Sequence, residues 1–423
     1  MKEKETIIVV GGGFAGLEFV KRLGNSSKYE LILVDCNNYN FFPPLIYQVS
    51  TGFMEPSAIS YPFRKILRDK KNVHFRLGAL KEVVPSENKI ILNNGILRYD
   101  ILVMATGAET NFFGNKNIEK KSLPMKTISD ALSLRNVILT RLDRATRLKD
   151  TQERKKLLTF VVAGAGPTGV ELSGILAEMR SFIITKDYPE LSIEDLGDIY
   201  VIDGLDAVLA PMSKQSQTYT HKQLSKLNVK IKLNTLVKDF KDETVYLSDG
   251  TQIPTKNLIW AAGVSAKIFK GFTKESYGHG KRLKTNAFNL VSGYENIYAL
   301  GDSALVSGDK NFPEGHPQLA QPALQQAKNL AHNLNLDTQD WKPFSYNDKG
   351  SLAIIGRNKA VMDSPKHKYH LNGFIAWFIW IFVHIMGLVN FKNKVRTLYN
   401  WIGYYIYKDQ SFRMIIKPSD RDS

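Results

Sequence analysis

Cysteine is all but missing. Cys36 stands alone among 423 residues, so no intramolecular disulfide can form, and no cysteine pair exists to serve as a dithiol relay or a structural zinc site. The eight histidines show no metal-ligand spacing; His316 and His384, like the others, read as ordinary core or surface side chains, and no metal site is expected. Nor does a long apolar run open the chain. Residues 1–5 lead straight into Thr6–Val10, a stretch too short and too strand-like for a secretory h-region, and the protein is expected to remain in the cytosolic compartment. What the chain has in excess is positive charge, formally +16, which by itself fits nucleic acid, an anionic membrane surface or a phosphate-rich ligand. With 43% of positions hydrophobic, the length supports a large core and two or three domains.

Glycine carries the first positive signal. Gly11-Gly12-Gly13-Phe14-Ala15-Gly16 is a G-x-G-x-x-G placed directly after the β-branched run Thr6–Val10 and before a helical pattern over Leu17–Leu23. Gly11 permits the tight turn, Gly13 lets backbone approach a pyrophosphate, and Gly16 lets helix and strand pack closely. The phosphates of a bound dinucleotide would then sit on a helix N-terminus. A second strand, Glu30–Val34, ends at Asp35, an acid placed to accept a hydrogen bond from a ribose hydroxyl. A lone glycine-rich turn is as often only a turn. Strand, helix and acid together favour the dinucleotide site.

The pattern recurs. Gly164-Ala165-Gly166-Pro167-Thr168-Gly169 follows an expected strand over Leu157–Ala163 and precedes a helix carrying Glu171, Leu172 and Leu176. A later strand, Asp198–Ile202, ends at Asp203, whose charge would repel a 2′-phosphate and so favours NADH over NADPH, although the spacing from Gly169 is longer than usual. Three apolar strand runs close in glycine turns: Ile101–Ala105 before Thr106-Gly107, Leu258–Ala262 before Gly263, and Asn296–Leu300 before Gly301-Asp302. The expected class is α/β, with two Rossmann-like dinucleotide-binding domains and a C-terminal helical segment.

These residues resemble the type II, non-proton-pumping NADH:quinone oxidoreductases, also called alternative NADH dehydrogenases. The similar segments run nearly end to end: GGGFAG at Gly11, YQVSTG at Tyr47–Gly52, ATGAET at Ala105–Thr110, GAGPTGVELSGILAE at Gly164–Glu178, AAGV at Ala261–Val264, YALGDSA at Tyr298–Ala304, AQPALQQA at Ala320–Ala327, and AWFIWIFVHI at Ala376–Ile385. The resemblance implies a glutathione-reductase-like flavoprotein holding one non-covalent FAD on the first glycine turn and NADH on the second. It implies electron transfer from NADH through the flavin to a membrane quinone, without proton pumping. Matched position by position, Asp35 would contact the adenosine ribose and Leu80 would lie near adenine, while Gly301-Asp302 would approach the ribityl and phosphate region. Ala320 and Gln321 would reach the isoalloxazine, and Gln321 with Gln325 would shape the quinone entrance. Gly164, Gly166, Thr168, Gly169, Asp203 and Gly263 would hold NADH.

Glu171 matches a family acid placed between the nicotinamide and quinone sides and linked to proton delivery. A carboxylate in a partly apolar cleft would have a raised pKa and could exchange protons near neutrality. Read from the residues alone, Glu171 is equally a first-turn helix acid facing the macrodipole, or an acceptor for the nicotinamide amide. Gln321, Gln325 and Gln326 sit at helical spacing and, without the resemblance, read as a polar helix face. The chain departs from many relatives at Phe42-Pro43-Pro44, where a glutamine is common, and over Val306–Gln318, which ends in His316-Pro317-Gln318.

From Gly373 to Val389 the chain is apolar and aromatic without formal charge, near the lower limit for a spanning helix. Lys392, Lys394 and Arg396 follow, then Tyr399, Trp401, Tyr404, Tyr405 and Tyr407 among Lys408, Arg413 and Lys417. Aromatics interleaved with cations read as an interfacial belt. A monotopic pair of amphipathic helices on a lipid surface is the favoured reading, against a single transmembrane helix or a buried core or dimer helix. The expected location is the cytoplasmic face of the cell membrane, peripherally bound. No nucleic-acid motif surrounds the aromatics, so no nucleic acid is expected, and a homodimer is left open. The expected domains are 1–115 with 291–340 for FAD, 116–290 for NADH, and 341–423 as the membrane-associating segment.

Rivals fall on chemistry. A sulfide:quinone oxidoreductase or a disulfide reductase needs a cysteine pair, which Cys36 cannot supply. A soluble NADH-dependent reductase of a protein acceptor is disfavoured by the apolar C-terminal stretch. A non-enzymatic redox sensor would differ by negligible turnover.

Overall fold

The computed structural model describes residues 4–407 and 412–416. The chain forms two compact units: Met1–Phe41, Ser60–Glu109 and Val264–Asp348 make one, and Phe42–Ile59, Thr110–Gly263 and Lys349–Ser423 the other. This grouping departs from the sequence division: the C-terminal segment joins the second unit instead of standing as a third, the boundaries shift at 110–115 and 341–348, and two further segments change unit. The helix Ile46–Ser50 is buried along its length and lies against helix Ile128–Arg147, which draws Phe42–Ile59 into the second unit. Strand Leu283–Thr285 pairs with Ala304–Val306, which places 264–290 in the first.

The first unit is built on a five-stranded sheet in the order Ile297–Ala299, Ile101–Met104, Glu5–Val10, Tyr29–Asp35, Val73–Leu77. Every pair is parallel, and the β-branched and aliphatic runs suit strands covered on both faces. Ile7, Val9, Leu31 and Leu33 face one core with helices Phe14–Leu23 and Ala320–Asn333. Ile8, Val10 and Val34 face the other, where the antiparallel strands Leu80–Val84 and Lys89–Leu92 contribute Leu80, Val83, Ile90 and Leu92. The alternation along each strand is the period-2 geometry of a pleated sheet.

The second unit repeats the plan. Its sheet runs Leu123–Pro124, Asn257–Trp260, Phe160–Ala163, Ile199–Ile202, Val229–Lys232, again all parallel. The strand before the second glycine turn starts at Phe160, not Leu157. Asp150 caps a helix over Thr151–Leu158 through the Gln152 N–H, and that helix takes Leu157 and Leu158 as its buried end. A second antiparallel meander, Val237–Lys241, Thr244–Leu247 and Gln252–Pro254, follows strand Val229–Lys232.

The last part of this unit is an antiparallel sheet, Ser351–Gly356, Lys359–Asp363 and His370–Asn372, followed by helices Gly373–Gly387 and Phe391–Tyr407. Fifteen residues of helix span only about 22 Å, and no helix among the described residues is long and apolar enough to cross a membrane. The single transmembrane reading is therefore not realised there. Neither is a fully buried helix: Ala376 and Trp380 are buried, while Phe374, Ile375, Phe378 and Phe382 on other faces are more than half exposed. Lys408 and Lys417 lie outside the described residues.

Strand Ser351–Gly356 lies directly on helix Pro167–Met179, and Gly174 makes the approach possible: a Cβ there would stand 1.8 Å from the Ile355 carbonyl oxygen. Gly174→Ala should force strand and helix apart and cost about 1–3 kcal/mol, read as a lower denaturant midpoint. An unchanged midpoint would mean that the two elements separate without penalty.

Candidate active site

Both glycine turns have the same construction. Gly11 has φ +103° and Gly164 φ +104°, a region other residues rarely enter, and a Cβ at either would strike the carbonyl of Ala105 or Ala261. Each turn is tied to the tip of the next strand by a carboxylate. Asp35 accepts the Gly12 N–H at 2.6 Å through one oxygen and the Asn37 N–H at 2.7 Å through the other. Asp203 accepts the Ala165 N–H at 2.6 Å and the Leu205 N–H at 2.9 Å. The longer sequence gap before Asp203 is absorbed by the turns between Arg180 and Asp195, so the two acids hold equivalent places. Burial pushes the Asp35 carboxyl up, with the Asn37 and Gly12 N–H groups opposing it.

No side chain caps the helices that begin after Gly13 and Gly166, and a Cβ on either glycine would meet nothing within 4 Å. Both turns thus fit a diphosphate, which needs an open backbone and an uncapped helix N-terminus. Phe14 and Ala15 open the first helix, Ala15 buried. Thr106 and Gly107 follow strand Ile101–Met104, and Gly301 and Asp302 follow Ile297–Ala299, all at the same C-terminal end of the sheet's strands as the first turn. Leu80 stands apart from them, its side chain only 8% exposed and turned into the core with Ile8, Val10 and Val34. In the second unit, Gly263 follows strand Asn257–Trp260 and accepts the Asn111 N–H at 3.1 Å, while Thr168 lies in the first turn of its helix.

The glutamines on helix Ala320–Asn333 differ from one another. Gln326, read from sequence as part of a polar face, is 1% exposed and accepts the Gly301 N–H at 2.7 Å. Gln321, next to Ala320 at the helix start, accepts from the Tyr346 hydroxyl at 3.2 Å, and Gln325 exchanges two hydrogen bonds with the Asn347 backbone. His316 is a core residue, bonded to Asp309 at 3.0 Å and ringed by Phe312, Phe344 and Tyr346. No metal cluster occurs among the described residues.

Glu171 is not a first-turn acid. It sits in the second turn of helix Pro167–Met179, the first turn of which has no acidic residue, and its side chain enters a cavity of about 60 Å³ shared with Tyr47, Gln48, Glu178, Trp380 and Tyr404. Burial dominates there and lifts its carboxyl to about 8, offset only in part by the Ile354 N–H at 3.4 Å and the nearby Trp380 indole. Burial lowers His384, stacked on Trp380 at 3.9 Å, to about 4. At neutral pH the cavity therefore holds a protonated acid and its flank a neutral imidazole.

Among the polar cavity residues, Tyr47, Gln48 and Glu178 carried no role from sequence, and Tyr404 was read only as part of an interfacial belt. Glu178 had a legible signal, because seven residues from Glu171 is the same helix face. The others come from segments remote in the chain.

A family model described as pyridine nucleotide-disulphide oxidoreductase matches residues 5–327, and one described as the NDH2 C-terminal domain matches 349–408. Type II NADH:quinone oxidoreductase Ndh of Mycobacterium tuberculosis is 34% identical, covering 94% of this chain and 87% of that protein. The chain belongs to the type II NADH:quinone oxidoreductase family. A second relative, NdhA of the same organism, is 32% identical over 94% of this chain and 86% of its own. The family fold is seen in NDH2 from Plasmodium falciparum in complex with NADH, with a TM-score of 0.89 at 23% identity over 98% of this chain and 100% of that one. The sulfide:quinone oxidoreductase of Aquifex aeolicus shares the fold at a TM-score of 0.72 and 18% identity, with 96% of each chain covered.

The raised Glu171 carboxyl has a stability consequence. An acid whose folded value lies above its ordinary 4.5 destabilises the fold as pH rises from about 4.5 to about 8, because only the unfolded chain ionises freely in that window. Glu171→Gln should therefore gain stability over the parent by about 1.4 kcal/mol per pH unit across the window and level off above it. Urea unfolding at stepped pH reads this, and a difference independent of pH would place Glu171 outside the apolar cavity.

Proposed function

We propose that the chain binds one non-covalent FAD on the first glycine turn and NADH on the second, and reduces a membrane quinone from the cytoplasmic face of the cell membrane without pumping protons. Electron transfer from NADH to quinone is the reaction of its family. When bound, the flavin accepts a hydride from NADH and passes two electrons to the quinone; the protein supplies position, dryness and protons.

Gly11, Gly12, Gly13, Phe14, Ala15 and Gly16 would hold the FAD diphosphate, with Asp35 accepting from the ribose through its remaining lone pairs. Leu80 would meet adenine through its backbone, since its side chain is committed to the core. Thr106, Gly107, Gly301 and Asp302 lie at the same C-terminal end of the sheet's strands for the central part of the cofactor. Ala320 and Gln321 would face the isoalloxazine, with Gln321 and Gln325 at the quinone entrance. For NADH, Gly164, Gly166, Thr168 and Gly169 would hold the diphosphate, Asp203 the ribose, and Gly263 the far side; the Asp203 charge disfavours NADPH.

The observation that carries the mechanism is the burial of the Glu171 carboxyl in the cavity, which favours its protonated form. The net reaction, NADH + H⁺ + quinone → NAD⁺ + quinol, consumes one proton, and Glu171 with a value of about 8 holds it at neutral pH. Its carboxyl oxygen would donate that proton to a quinone oxygen and return to the acid form from solvent. In stopped flow, NADH should bleach the flavin absorbance of the purified protein and a short-chain quinone should restore it. Glu171→Gln should leave bleaching within about twofold and slow recovery on the order of 100-fold. Equal slowing of both halves removes Glu171 from the proton path, and a colourless protein defeats the FAD assignment.

The exposed aromatic face of helix Gly373–Gly387 is assigned to lipid rather than to a second copy of the chain, because the helix that follows carries Lys392 and Arg396, both exposed. Each basic residue near an anionic leaflet adds about 1 kcal/mol. Phe378 and Phe382, 62% and 61% exposed, would each contribute about 1.5–3 kcal/mol on burial in lipid. Phe378→Glu with Phe382→Glu should lower partitioning onto anionic vesicles by at least about 100-fold in sedimentation; unchanged partitioning would place the anchor elsewhere.

A further inference from the structure

Glu178 has no part in the reading above, yet it is built into the same cavity. It follows Glu171 by seven residues on helix Pro167–Met179, which sets the two carboxyls on one face about 10 Å apart along the axis. Glu178 is 7% exposed. One of its oxygens accepts from the Tyr404 hydroxyl at 2.8 Å, and the other accepts the Arg357 backbone N–H. Burial pushes its carboxyl above the ordinary range against those two donors and the Lys359 and Arg357 charges.

The hydrogen-bond directions around the cavity are fixed by one donor. The Trp401 indole N–H can only donate, so the Gln48 amide oxygen must face it, at 2.8 Å. The Gln48 NH₂ group is then the donor to the Tyr47 hydroxyl oxygen at 2.9 Å. Having accepted there, Tyr47 keeps its own hydroxyl hydrogen for another acceptor, and its side chain lines the cavity. One water needs about 10–15 Å³, so a cavity of about 60 Å³ lined in part by Glu171, Glu178 and Tyr47 has room for several.

We propose that Glu178 and Tyr404 form a proton-entry arm that recharges Glu171 through the cavity waters and the Tyr47 hydroxyl. This rests on Glu171 being the proton donor to quinone. After Glu171 gives its proton to a quinone oxygen, its carboxylate takes a proton that Glu178 releases through the cavity. The Glu178 carboxylate, steadied by Arg357 and Lys359, then regains a proton from solvent past Tyr404. One proton moves from solvent to quinol, and no electron resides on these side chains. Glu178 acts through Glu171 and touches neither substrate. The groups facing the path are Tyr47, Tyr404, Arg357 and Lys359, with His384 flanking Trp380 and held neutral.

The test is the rate at which the Glu171 carboxyl exchanges its proton, followed by rapid-mixing infrared spectroscopy in heavy water on the full chain. The Glu171 carbonyl band is identified by its loss in Glu171→Gln. Glu178→Gln, which keeps the acceptor for Arg357, and Tyr404→Phe should each slow exchange at least about tenfold, and Glu178→Asp should restore it. In the same variants the quinone half-reaction should fall about tenfold for each unit that pH rises over the range below about pH 8 where the parent is flat, and added acetic acid should rescue it. Exchange as fast in both variants as in the parent overturns the relay alone. Absence of a Glu171 carboxyl band at neutral pH overturns instead the donor role of Glu171.

Discussion

Each glycine turn is held against its sheet by a carboxylate at the tip of the neighbouring strand, and the nucleotide sites depend on that contact. The turn must leave its backbone bare for a diphosphate, so it has no side chains with which to anchor itself. Asp35 and Asp203 supply the anchor from outside, each taking one N–H of the turn at 2.6 Å and a second from its own strand end. Because the bond is charge-assisted and short, it fixes the turn while one lone pair on each oxygen remains for a ribose. In the proposed reading the same residue both shapes the turn and accepts from the ribose.

The cavity around Glu171 obeys a different constraint. Helix Pro167–Met179 begins at a glycine turn, where it must stay open, and continues beneath strand Ser351–Gly356, where it is covered. Burial that would be costly for a charged group is tolerated because the acid stays neutral. Trp380 and Trp401 close the cavity from the two last helices, so the segments with an exposed apolar face also complete the chamber that buries the acid. The exposed aromatic face proposed to meet lipid and two walls of the acid's cavity thus belong to the same two helices.

Much of this was legible in local pattern. Strand, glycine turn, helix and acid follow one another within a few dozen residues, and Gly11, Gly164, Asp35 and Asp203 could be placed because each step is set by short-range geometry. The break at Leu157 was not legible: an apolar Leu-Leu pair serves a strand or a buried helix end equally, and the Asp150 cap decided it. Gln326 was misread for a similar reason, since a glutamine on a helix shows no sign of the Gly301 N–H it will meet. Glu171 was placed one turn too early among its alternatives, though its identity as the site acid came through the family resemblance.

The linear order of residues by itself determined the two dinucleotide turns, their acids, the paired Rossmann plan and the absence of a thiol route, because all of these arise from neighbours in the chain or from composition. Only the tertiary structure decided that Glu171 is neutral, that Glu178 and Tyr404 share its cavity, and that Gln48 orients Tyr47. Those properties depend on burial and on hydrogen bonds between segments up to 353 residues apart, and neither periodicity nor motif spacing carries information about which distant side chains will close over a carboxyl group.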